Sequence, residues 1–396
     1  MKLKQVFAML IMILLTASII LENKLPMVKY FDEVLTLGFI VVTFVSLLFK
    51  KTKIPREDGM VFLGWLILVA IGVLSNLTSK IDRKAFDIVL DILSFSKLFV
   101  FIACTKCLFQ YETVNKMFDS SVKLCKILTV VMFILSIANI FFNFGMRGQK
   151  RFGIYGFNFV FEYAHEFTVF VLCIYIILFL KLKKKKQRRI YSLMICFILL
   201  ITLKGPSMLI PFVFLGVRAM IKYKDKLKVL LILVFLLSIC IWISRYQIVT
   251  YLTNVNAPRY ILFKHGFITA THYLPFGSGF GTYGSSVAAS SYSPLYEQYG
   301  FTSLYGMNPE DYQFLNDTYY PMIIGQFGFF GTALMFGIFV FFITKCLKCH
   351  DKSCKIIAIT ILTYFIIHSV GSAILTSSAG VLGIIFLSFI WIYDKG

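Results

Sequence analysis

Twelve stretches of this sequence are apolar for long enough to cross a lipid bilayer, and that recurrence limits the possible folds more than any other feature. A hydrocarbon core about 30 Å thick is crossed by roughly 17 to 25 residues of helix. Runs of this kind fall near residues 5–21, 34–49, 60–78, 86–108, 124–144, 160–180, 190–203, 206–221, 227–243, 317–343, 356–375 and 377–393. The seventh and eighth are short and fit re-entrant segments. The first has Lys2 and Lys4 ahead of its apolar run, as a signal peptide does. It lacks a small-x-small cleavage site and is followed by many further runs, so a retained span is expected.

Composition agrees. Hydrophobic residues make up 59% and charged residues 15% of the chain, and the mean hydropathy is +0.82. Soluble domains have roughly 45–50% and about 25%. An ordinary soluble domain is excluded, and an all-α polytopic membrane protein of about 12 spans is expected. The net charge of +21 would suggest nucleic acid in a soluble protein. Here the basic residues must first be placed relative to the bilayer.

With the N-terminus inside, 27 of the 40 Lys and Arg residues fall on inside segments, among them Lys50-Lys51-Lys53-Arg56, Lys181 to Arg189, and Lys345 to Lys355. That bias puts both termini in the cytoplasm. The run Lys183-Lys184-Lys185-Lys186-Gln187-Arg188-Arg189 then reads as a topology anchor touching anionic lipid, and no nucleic-acid partner is expected. Residues 1–243 hold spans one to nine, 244–316 form one large extracytoplasmic loop, and 317–396 hold spans ten to twelve. All nine cysteines fall in spans or inside segments, so no disulfide framework braces that loop. Cys346-Leu347-Lys348-Cys349-His350 has the spacing of a haem attachment site but lies on the wrong face, and no metal or other cofactor is expected. No sustained internal repeat is present, which disfavours an inverted-repeat transporter.

Polar residues mark three places. In the fourth span Asp87 and Asp91 share a helical face and Lys97 lies deeper, which reads as an internal ion pair or a proton path. The connector 145–158 carries Arg147, Lys150 and Arg151 outward. Just beyond it Glu162, His165 and Glu166 form one polar face at the outer end of the sixth span. Lys204-Gly205-Pro206-Ser207 forms a tight turn that adds another outward cation. In the long loop, Asn254 or Asn256 can cap a helix with Pro258 in its first turn, running through Arg259, Lys264 and His265 towards Pro275, with His272 near its end. An arginine near a helix N-terminus suits a phosphate. Gly277, Gly279 and Gly281 lack the strand context of a dinucleotide fingerprint and would let backbone approach a ligand or a helix closely.

The order of these features resembles the O-antigen polymerase and ligase family. The matching features are an arginine early in a large loop, Pro275-Phe276-Gly277-Ser278-Gly279-Phe280-Gly281-Thr282, and Asn316-Asp317-Thr318-Tyr319 entering a span that reads Gly325-Gln326-Phe327-Gly328-Phe329-Phe330-Gly331. The resemblance implies a GT-C-like membrane glycosyltransferase of the bacterial cytoplasmic membrane that needs no metal or cofactor. Its donor and acceptor would be polyprenyl-pyrophosphate-linked glycans, and a chain-length regulator and a flippase would be its partners. By the same resemblance Arg259 matches the large-loop arginine, Arg147 or Arg151 the arginine of the earlier loop, and His265 or His272 the loop histidine. Lys204, Lys264, His272, Gly277, Gly279, Asn316, Asp317 and Tyr319 would contact substrate. Lys204-Gly205 stands where the family often has Ser-Arg. Asn316-Asp317 stands where ligases tend to have His-Asn, which favours a polymerase. Cations such as Arg259, Arg151 and Arg147 would stabilise a departing diphosphate. The base that activates the acceptor hydroxyl is Glu166, Glu162, His265 or Asp317, in no order the residues reveal.

Overall fold

The computed structural model describes residues 2–22, 24–25, 28, 30–49, 56–223 and 225–396. The basic group Lys50-Lys51-Lys53 lies outside the described residues. The chain is mostly helical. Helices α1 (Lys2–Leu21), α2 (Phe31–Leu48), α3 (Arg56–Ser79), α4 (Ala85–Leu108) and α5 (Tyr111–Phe141) come first. Strands β1 (Arg147–Arg151) and β2 (Ile154–Phe157) follow, then α6 (Ala164–Lys181), α7 (Lys185–Ile201), α8 (Gly205–Lys222) and α9 (Lys226–Thr253). The remainder is α10 (Pro258–His272), the short α11 (Ser286–Ser290) and α12 (Pro294–Gln298), then α13 (Tyr319–Leu347), α14 (Lys352–His368) and α15 (Ser378–Tyr393).

Each of the twelve expected spans coincides with one of these helices. Among the described residues, eight helices are long and apolar enough to cross a membrane: α1 to α6, α8 and α13. The other four are α7, α9, α14 and α15. Helix α7 opens on Lys185-Lys186-Gln187-Arg188-Arg189, α9 has the apolar stretch Leu227–Ile243 among its described side chains, and α14 and α15 have 17 and 16 residues. The architecture is also not purely helical. β1 and β2 pair antiparallel across the two-residue turn Phe152-Gly153, where both φ angles are positive, as a tight hairpin turn requires.

Residues 244–316 include helical segments. Helix α9 continues to Thr253, and α10 occupies the expected Pro258-led position. The expected asparagine cap is absent. Ala257 is the N-cap, with no side-chain bond, because the Asn254 side chain instead accepts the Asn256 amide at 3.0 Å in the preceding turn.

Helix α15 is buried along nearly its whole length, with α4 and α6 well covered beside it. The outer helices expose apolar side chains such as Val41, Phe44, Leu63 and Phe235, the pattern of a lipid-facing surface. Buried charge is paired. Lys97 Nζ lies 2.7 Å from Asp32 Oδ2 and 2.6 Å from Glu33 Oε1, so its partners are on α2 and not the Asp87 and Asp91 of its own helix. Near the opposite end of the bundle, Asp58 Oδ1 lies 2.6 Å from both Lys106 Nζ and Lys345 Nζ. The nine cysteines are free thiols, and among the described residues no three His, Cys, Asp or Glu side chains gather to hold a metal.

The glycine-rich segment is a joint between helices. Helix α13 breaks at Gly328, and the amides of Ser278 and Gly279 donate to the carbonyls of Gly325 and Gln326 at 2.9 Å each. A side chain on Gly277 (φ 82°) would collide with the Gly328 backbone. Ser75, Asn76 and Ser79 of α3 bond the backbone of Phe276, Phe280 and Ser278 from the other side.

Candidate functional site

Three cations from separate parts of the chain converge at one end of the bundle. The β hairpin delivers Arg151. Gly156 lies so close to the Thr202 carbonyl that any side chain there would strike it, and the Gly156 carbonyl accepts the Asn139 side chain at 3.3 Å. The hairpin therefore rests on the α7–α8 turn, whose Lys204 is the N-cap of α8. Arg259 follows Pro258 in the first turn of α10. Its Nη2 lies 2.6 Å from Asp317 Oδ2 and donates to the Gly371 carbonyl at 3.0 Å, which draws in the entry to α13 and the turn after α14.

These groups lie near enough to bias one another's titration. Burial lowers the basicity of Lys204, and the charges of Arg259 and Arg151 lower it further while Asp317 opposes them. Arg151 is lowered by burial and then by Arg259. Burial raises the Asp317 carboxyl above its ordinary range, against the pull of Arg259 and Lys204. Among the described residues these three cations outnumber the carboxylates beside them, Asp317 on Arg259 and Glu162 on the wall next to Arg151 and Lys204, which makes an anion-seeking arrangement. A cavity of about 290 Å³ opens beside it, with Arg151, Lys204, His165, Glu162, Tyr163 and Asn158 on its wall. A second cavity, of about 360 Å³, has Arg259, Asp317, Asn256, Tyr305, Met307 and Phe314 on its wall. Polar and aromatic groups thus flank the cationic centre on two sides.

No protein-family model and no curated protein matches this chain.

The other residues singled out from sequence lie elsewhere or have structural partners. Arg147 stacks on the Tyr155 ring at 4.5 Å and does not line the first cavity. A bulge between Arg147 and Lys150 turns both towards Tyr155, apart from Arg151. Glu166 closes a capping box, accepting the Tyr163 amide at 3.3 Å. His265 packs against Tyr299 and Phe301, with centroids at 4.6 and 5.1 Å, and burial lowers its basicity. Lys264 and His272 are exposed along α10. Gly277 and Gly279 belong to the interhelical joint. Asn316 is half-buried beside Asp317, and Tyr319 is buried with its amide on the Ser369 carbonyl at 3.1 Å.

One residue at the site carries no sequence signal. His368 ends α14, is 1% exposed, and has neither ring nitrogen bonded among the described residues. Each buried unsatisfied polar group costs about 1–3 kcal/mol. A lone histidine at the end of an apolar run looks like a snorkelling residue, and only the packing of α14 against α8 and α6 brings it under Lys204 and Arg259.

Proposed function

We propose that this chain is a membrane glycosyltransferase that polymerises polyprenyl-pyrophosphate-linked oligosaccharides into a surface polysaccharide at the outer face of the bacterial cytoplasmic membrane. The observation that carries the reading is the convergence of Arg151, Lys204 and Arg259, with Asp317 paired to Arg259, beside two cavities at one end of an apolar helical bundle. A diphosphate is a good leaving group whose charge grows as the glycosidic bond breaks. Fixed cations in a partly dehydrated site stabilise that developing charge more than they stabilise bound substrate. Asp317 holds Arg259 in place until the anion arrives. The donor's prenyl tail would lie along the exposed apolar faces of the outer helices, which explains a sugar-handling site on so apolar a chain. Among the described residues the cations inside the bundle, Lys97, Lys106 and Lys345, are each paired with carboxylates, while Arg151, Lys204 and Arg259 cluster at one end, which favours transfer chemistry over lipid flipping. Chain-length regulators and a flippase would then act as partners.

The test is reconstitution of the full chain in liposomes with a lipid-linked repeat unit, followed by gel analysis of the glycan. A ladder of lengths is expected from the wild type and none from Arg259→Ala. Transport of the intact lipid-linked unit without any ladder would replace this reading with that of a flippase.

A further inference from the structure

A column of four aromatic rings runs from the first cavity into the helical core. Tyr163 and His165 stack with centroids 5.6 Å apart, His165 and His368 lie 5.4 Å apart, and His368 and Tyr364 lie 5.3 Å apart at an interplanar angle of 16°. Tyr163 and His165 belong to the cavity wall that also holds Arg151 and Lys204. His368 and Tyr364 are buried behind them. A neutral imidazole has one donor and one acceptor, and buried groups of this kind are paired in the great majority of proteins. Both nitrogens of His368 lack a partner among the described residues, so filling space does not explain the choice of histidine here.

We infer that His165 accepts the proton of the acceptor glycan's hydroxyl, with His368 as the positioning residue behind it. The inference rests on the glycosyl-transfer reading above. In the step, the acceptor O–H bond breaks and its proton passes to a nitrogen of His165. The freed oxygen bonds to the anomeric carbon. The bond from that carbon to the diphosphate oxygen breaks, and its electron pair leaves on the diphosphate beside Arg151, Lys204 and Arg259. The imidazolium then hands its proton to the diphosphate or to water, so no further reactant is required. A neutral imidazole also brings no negative charge near the diphosphate, unlike Glu162 on the same wall. The charged and titratable groups facing the pair are Tyr163, Glu162 and Glu166 around the start of α6, Tyr364 on α14, Lys204 ahead of α8, Arg151 on β1 and Arg259 on α10.

Liposome assays of the full chain test this with His165→Gln, His165→Ala and His368→Phe, the last keeping the ring column while removing both nitrogens. The two His165 variants should turn over about 10²- to 10⁴-fold more slowly. Both should still bind inorganic pyrophosphate like the wild type, and added imidazole should restore part of the His165→Ala rate. His368→Phe should shift the acid limb of the rate–pH profile without changing pyrophosphate binding. Turnover of His165→Gln within about threefold of wild type overturns the assignment. An unshifted acid limb in His368→Phe removes that residue from the pair. Loss of the whole glycosyl-transfer reading looks different: the wild type itself then forms no polymer.

Discussion

The Asp91 carboxylate accepts the Gln326 side-chain amide at 2.8 Å, joining α4 to the break in α13. The same oxygen takes the Gly281 amide at 2.5 Å, so one buried carboxylate ties two helices to the segment that follows α10. Asp91→Ala strands two buried donors, at about 1–3 kcal/mol each. Detergent-solubilised protein carrying Asp91→Ala should unfold at a clearly lower temperature, and Asp91→Asn, which keeps an acceptor oxygen, should lose less. An unchanged melting curve for Asp91→Ala would show that the joint does not depend on this side chain.

Lys97 is 2% exposed and bridges Asp32 and Glu33. Breaking a buried ion pair by removing one partner costs roughly 3–5 kcal/mol, because the remaining charge stays dehydrated. Lys97→Met should therefore lower the yield of folded protein sharply. Combining it with Asp32→Asn and Glu33→Gln should recover much of that loss, and size-exclusion profiles of the single and triple variants decide the matter. A triple variant worse than the single would contradict the pairing.

Arg259 bonds Asp317 and the Gly371 carbonyl through the same nitrogen. Lysine carries the charge but lacks the planar fork. Arg259→Lys should therefore weaken inorganic pyrophosphate binding only partly, and Arg259→Ala should abolish polymer while membrane insertion stays normal. Equal polymer length from wild type and Arg259→Ala in membranes would remove this arginine from the site.

Lys204 titrates below the ordinary lysine value of 10.5, because burial and then the neighbouring arginines disfavour its charge. In the window between the lowered folded value and 10.5 the unfolded chain binds the proton and the folded chain does not, so Lys204 makes the fold more stable as pH rises through it. Anion binding has the opposite sign, since the cation is being lost. Pyrophosphate affinity should fall on the alkaline side earlier than for an exposed lysine, and Lys204→Arg should move that limb to higher pH. Titration of pyrophosphate binding against pH in both proteins checks the two limbs directly.

Apolar periodicity alone located every long helix of the bundle, since burial in lipid and burial in protein demand the same run lengths. It could not separate helices that qualify as spans from α7, α9, α14 and α15, of which α14 and α15 are mostly buried and α9 is largely exposed. Arg259 and Lys204 were visible as cations at helix starts. The hairpin was hidden because Phe152-Gly153 is a weaker turn signal than Asn-Gly, and with it went the bulge that separates Arg147 from Arg151. The glycines at 277 and 279 carried a correct signal for close approach, but composition cannot say that a helix and not a ligand is what approaches. His368 was illegible because its meaning lies in a contact with His165, 203 positions earlier in the chain.

The amides lent by Ser278 and Gly279 to the broken turn of α13 tie the order of folding to the order of synthesis. Carbonyls exposed by such a break cannot remain bare in hydrocarbon. The donors that cover them emerge from the ribosome before α13 does, so the chain has its patch ready when the damaged helix enters the membrane. A circular permutant that delivers α13 first would have to insert that helix with its gap uncovered.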